Sequence, residues 1–140
     1  MSSLYSYINR VFILLCSISM LLASCKKSDV IPATRTELIT KAWRVNQVVI
    51  NGKADQSASY SSYQITFNAD GTYTYMANGT TERGTWEFSS TEQQVILNKG
   101  AANEKVLTIV NLSSNNLEYS YVTSNYKTGS MEVLFKLVNR

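Results

Sequence analysis

Histidine is absent from the 140 residues, and no other feature of the chain excludes as much chemistry. Without an imidazole the usual general base near neutral pH is missing, as is the commonest metal ligand. No Ser-His or Cys-His nucleophile pair can be assembled. Cysteine is nearly as scarce, with Cys16 and Cys25 alone, so a zinc site built on thiolates is not expected. Proline occurs once, at Pro32. There is no Gly-rich phosphate loop and no nucleophile elbow. Carboxylates remain: Glu82 and Glu87 flank one strand-like run, and Asp55 and Asp70 fall in loop-like stretches. A glycosidase-type pair needs two carboxyls about 5 to 9 Å apart in a cleft, whereas scattered acids are what any soluble domain carries. The expectation is a protein that is not an enzyme and needs no cofactor or metal. The formal charge is only +3, and no basic stripe with interleaved aromatics points to nucleic acid.

Long apolar runs are also missing, with one short exception. Val11–Leu22 is apolar except for Cys16, Ser17 and Ser19, and follows a polar start carrying Arg10. Twelve helical residues rise about 18 Å, short of the roughly 30 Å hydrocarbon core of a bilayer. The run reads as the hydrophobic core of a signal peptide over residues 1–24. Leu22-Ala23-Ser24-Cys25 follows directly and resembles the lipobox of bacterial lipoproteins. That resemblance implies cleavage before Cys25 and lipid attachment to its thiol. The protein is then expected in the cell envelope, tethered to a membrane, the outer membrane being the expected one, through a linker over residues 25–33. Lys26-Lys27 is the only basic cluster; it reads either as a solvated tether end or as a contact to anionic headgroups. A lipidated Cys25 leaves no disulfide, so the domain relies on its core.

From residue 34 onward the chain is long enough for one domain and too short for two. Thr34 or Thr36 can cap a short helix with Glu37 in its first turn. Short β-rich runs follow: Trp43–Ile50, Tyr60–Phe67, Thr72–Met76, Arg83–Phe88, Gln93–Asn98, Lys105–Leu112, Leu117–Thr123 and Met131–Val138. Asn51-Gly52 and Asn78-Gly79 lie between such runs, and asparagine and glycine adopt the positive φ of hairpin turns at least cost. Several runs alternate with period two, as in Gly84, Trp86 and Phe88 against Thr85 and Glu87. Such alternation means one buried and one wet face. Eight strands joined by short turns pair antiparallel with their neighbours, and closure removes their free edges. The fold expected is all-β, an eight-stranded antiparallel up-and-down β-barrel with a short N-terminal helix. The longest connection, Asn51–Ser59, is polar and reads as a plain surface loop or as a flap over the barrel mouth.

The run from Leu38 to Val138 resembles the lipocalin-like domains of Bacteroidetes lipoproteins. The resemblance rests on the short helix leading into Trp43, on Ile65-Thr66-Phe67 with Asp70-Gly71-Thr72-Tyr73, and on Gly84-Thr85-Trp86. Such barrels carry a Gly-x-Trp motif at the first strand; here it reads Lys41-Ala42-Trp43. The resemblance implies that Trp43 packs across the closed end of the barrel and that a small apolar ligand occupies its interior.

Tyrosine is the residue in unusual supply. Tyr63, Tyr73, Tyr75, Tyr119 and Tyr121, together with Trp86, are the candidate ligand-binding residues, offering apolar bodies and orienting hydroxyls. The same residues could instead fill a small barrel. The volume of Trp86, Phe67, Phe88 and Phe135 favours a filled or nearly filled interior. Two functions follow: binding of a small apolar or amphipathic molecule, or docking of another envelope protein through the barrel rim or wall, as an accessory or inhibitor.

Overall fold

A computed structural model of the chain describes residues 32–125 and 129–140. The signal segment, Cys25 and the tether to residue 31 lie outside these. Ala33–Arg140 forms one compact unit.

The unit opens on helix α1 (Arg35–Ile39), five residues long and fixed at its start by a reciprocal cap. The Glu37 amide donates to the Thr34 hydroxyl at 3.1 Å, and the Thr34 amide donates to the Glu37 carboxylate at 2.7 Å. Both bonds satisfy donors that a helix start otherwise leaves without partners. The nine strands are β1 (Ala42–Ile50), β2 (Lys53–Ala54), β3 (Gln64–Phe67), β4 (Thr72–Ala77), β5 (Thr80–Phe88), β6 (Gln94–Leu97), β7 (Lys105–Leu112), β8 (Asn116–Asn125) and β9 (Gly129–Asn139). Each pairs antiparallel with its neighbours, and β1 also pairs with β9, so β1 and β3–β9 close an eight-stranded barrel. The two-residue β2 adds to the free side of β1 through Val49 and Ile50. Asn51-Gly52 and Asn78-Gly79 have positive φ at both residues and form the tight turns expected of them.

One run departs from its sequence expectation at its start. Tyr60–Tyr63 is not strand; β3 begins at Gln64. The polar segment before it folds back along the barrel wall. The Asp55 amide donates to the Val48 carbonyl and the Val45 amide to the Tyr63 carbonyl. This segment lies against the barrel wall at β1, held there by these bonds.

Two β-bulges reset the alternation. In β1 the inward residues are Trp43 and Val45, then Val48 after the bulge at Asn46. In β7 they are Leu107 and Ile109, then the partly buried Leu112 after the bulge at Val110. A bulge adds one residue to one strand, so the inward face moves by one position.

The ends of the barrel are unlike. One is closed by α1, the start of β1, the turns after β3, β5 and β7, and the end of β9. Ile39 and Trp43 are fully buried there. The Trp43 indole donates to the Ile39 carbonyl at 2.9 Å, and the Trp86 indole to the Asn68 carbonyl at 3.0 Å. Lys41, which stands where the sequence motif has glycine, lays its ammonium over the Trp43 ring at 5.4 Å and donates to the Ser114 carbonyl. A lysine therefore serves here as a cover for the tryptophan. At the opposite end, the mouth, are the turn 78–79, the turn 98–104 and the segment 51–63.

Candidate ligand cavity

The interior is not filled throughout. Phe67, Trp86 and Phe88 meet edge to face, at 5.4 and 5.5 Å between ring centres, and occupy the closed half. Toward the mouth a cavity of about 460 Å³ remains. Three of the four large aromatics that argued for a filled barrel are concentrated at one end while Phe135 lines the cavity, which is why the expectation of a filled interior fails for the mouth half. A volume of this size lies within the range of small-molecule sites.

Of the residues proposed from the sequence, Tyr73, Tyr75, Tyr119 and Tyr121 line this cavity. Strand alternation places them: Tyr73 and Tyr75 share one face of β4, and Tyr119 and Tyr121 share one face of β8. Phe135 of β9 stacks against both Tyr119 and Tyr121, at 5.3 and 5.9 Å. Tyr63 is not a lining residue. It meets Tyr75 edge-on at 6.4 Å, and its hydroxyl accepts from Asn78 at 2.8 Å. Trp86 is absent from the lining too, because its ring is committed to the closed half. Trp43 sits in the closed end.

Polar residues that the sequence reading did not single out as site residues also line the cavity, namely Glu82, Glu104, Lys105 and Thr123, and Asn98 stands behind Tyr73. Glu82 shares the inward face of β5 with Gly84 and Trp86, and lines the cavity with Lys105. The Tyr73 hydroxyl donates to Glu82 at 2.5 Å and accepts from Asn98 Nδ2 at 3.0 Å. Lys105 Nζ lies 3.4 Å from the other Glu82 oxygen. Asn98 Oδ1 accepts from the Thr85 amide at 3.1 Å. Gly84 makes room for this: a Cβ there would stand 1.9 Å from Asn98 Oδ1 and 2.8 Å from the Tyr73 ring. Parity was the available signal, since Glu82 lies two residues from Gly84 and Lys105 two residues from Leu107.

Burial first, then the bond to Glu82, pushes the Tyr73 hydroxyl up to about 12, and burial raises Tyr75 to about 12. Burial raises Tyr121, and raises Tyr119 further still. All four phenols are therefore neutral at physiological pH, presenting hydroxyls rather than charges to the cavity. Tyr75, Tyr119 and Tyr121 take no hydrogen-bond partner for their hydroxyls among the described residues.

Two carboxylates line the cavity, Glu82 and Glu104; Glu82 is held by Tyr73 and Lys105, and Glu104 accepts from the Gly100 amide at 2.6 Å. Glu82 faces inward while Glu87, on the opposite face of β5, pairs with Lys99 outside. Asp55 lies at the mouth and Asp70 in the turn after β3, at the closed end. Among the described residues no group of three or more His, Cys, Asp or Glu comes together to hold a metal. No helix among them is long and apolar enough to cross a membrane.

The profile of the lipocalin-like domain family matches residues 39–119. The chain belongs to that family. No curated protein matches it. Among solved structures, bovine odorant binding protein with a selenium-containing odorant is similar at 13% identity, covering 76% of each chain, with a TM-score of 0.49. The same protein with undecanal is similar at 13% identity, covering 79% of this chain and 76% of that one, with a TM-score of 0.48. The barrel assignment for this lipocalin-like chain rests on its own strand pairings.

Proposed function

We infer that this protein is a membrane-anchored envelope lipoprotein whose lipocalin-like barrel binds a small apolar or amphipathic molecule without transforming it. The observation that carries the reading is the 460 Å³ cavity with Ile65, Leu97, Leu107 and Phe135 beside four tyrosines. Apolar walls with a few convergent polar groups suit a molecule that is mostly hydrocarbon and bears a hydrogen-bonding function. The anchor reading is supported by Leu22-Ala23-Ser24-Cys25 after a short apolar run. Acyl chains contribute about 0.8 kcal/mol per buried methylene, so two or more hold the protein durably.

Native mass spectrometry of the protein isolated from its host tests the binding reading. The expected result is a co-purifying metabolite or lipid, retained by wild type and lost when Tyr75 and Tyr119 are both replaced by Phe. A protein that carries no small molecule but arrives bound to a partner protein would overturn it in favour of a docking function. Membrane fractionation tests the anchor: Cys25→Ser is expected to leave a folded barrel in the soluble fraction.

A further inference from the structure

Five of the eight seams of the barrel are laddered up to the mouth; three are not. Between β5 and β6 pairing stops at Trp86 and Leu97, where β6 ends in the turn 98–104. Between β1 and β3 pairing stops at Arg44 and Gln64, but segment 51–63 lies in that gap and covers it. The remaining gap lies between β7 and β8. Their pairing runs from Leu112↔Leu117 to Thr108↔Ser120 and ends there. Lys105, Val106 and Leu107 keep partners only in β6, and Tyr121 to Asn125 only in β9. The bulge at Val110 precedes the split, and bulges bend the strand that carries them.

The cavity reaches this gap. Its lining includes Val106 and Val122, although both point outward by strand parity, between inward Leu107 and Tyr121. A residue of the outer face can border an interior cavity only where the wall is open beside it. Val106 and Val122 face one another in the extrapolated register and are 41% and 69% exposed. Backbone groups left without ladder partners along such a split must meet water or a guest.

We propose that the β7–β8 split is a lateral portal through which apolar ligand passes between solvent and cavity, with Val106 and Val122 as its rim. This rests on the cavity being a ligand site. Ligand then slides between two valines instead of crossing the Glu82–Lys105 pair inside the mouth. A chain longer than the cavity leaves its excess lying in the split.

The test closes the seam in the full chain with Cys16 and Cys25 replaced by Ser. Val106→Cys with Val122→Cys forms a disulfide on oxidation, and Thr74→Cys with Arg83→Cys, across the intact β4–β5 ladder, serves as control. Stopped-flow fluorescence with N-phenyl-1-naphthylamine reads association and dissociation. Oxidation of the portal pair is expected to slow both rates about tenfold or more, with recovery on reduction and no change in the control. Val122→Trp, which fills the split without a cross-link, is expected to slow them in the same direction. Wild-type rates in the oxidised portal variant and in Val122→Trp would overturn the portal and leave the ligand site standing. A wild-type protein that binds neither this probe nor any alkyl amphiphile would overturn both.

Discussion

The two halves of the barrel are built on the same strands with the same alternation, yet one is packed and the other hollow. The closed half uses tryptophan and phenylalanine, and both indole N–H groups there end on backbone carbonyls. Its polar needs are met internally, so ring volume alone fills the space. The mouth half uses tyrosine, and three of its cavity hydroxyls take no partner among the described residues. One half has its polar groups paired by folding, and the other leaves hydroxyls open to the cavity. Close packing and open volume thereby fall at opposite ends of one small domain.

If that division holds, removing Trp43 should cost most. Trp43→Ala deletes a fully buried ring and is expected to lower unfolding free energy by about 3–5 kcal/mol, read by urea titration; Tyr121→Phe at the mouth should leave the same curve nearly unmoved. Next comes Gly84→Ala, whose added methyl must displace Asn98 and Tyr73; overpacking of this kind costs about 1–3 kcal/mol, and thermal unfolding will show it. A smaller loss, about 1–2 kcal/mol, is expected for Tyr73→Phe, which leaves Asn98 Nδ2 without its acceptor. The pH dependence follows from the same group. An unfolded phenol ionises near 10, while Tyr73 and Tyr75 hold their protons to about 12. Between those values the unfolded chain has released protons that the native state keeps, so stability falls as pH rises from 10 to 12 and is untouched below. Tyr73→Phe with Tyr75→Phe should flatten that alkaline decline in denaturant titrations. Least of all is expected from Asp55→Asn. Hydrogen bonds from Ser57 and Tyr60 hold the Asp55 carboxyl below its ordinary range, so its contribution is present above that range and lost on acidification. The substitution should speed hydrogen exchange at the Asp55 amide without shifting global unfolding.

Much of this architecture was legible from local rules. Alternation and Asn-Gly turns give eight strands in an antiparallel meander, and Thr34 with Glu37 gives the capped helix. Tyr73, Tyr75, Tyr119 and Tyr121 follow from parity. What escaped is what depends on tertiary geometry. The polar pair Asn46-Gln47 interrupts the β1 pattern, yet nothing local says that it is a bulge and not a break. Trp86 and Tyr73 both face inward by parity; only the position along the barrel axis separates the packed half from the cavity. Glu82 was read as a surface acid because its partners, Tyr73 and Lys105, lie on other strands.

The three unladdered seams have a mechanical consequence. Toward the mouth they divide the wall into three panels, β3 to β5, β6 with β7, and β8, β9 and β1. The panels share hydrogen-bonded joints only toward the closed end, at Trp43↔Ile65, from Phe88↔Val95 to Trp86↔Leu97, and from Leu112↔Leu117 to Thr108↔Ser120. The barrel is thus a slit sleeve bound at the tryptophan end, whose mouth can widen without the loss of a strand ladder. One slit is held by the clasp that Asp55 and Tyr63 make with β1.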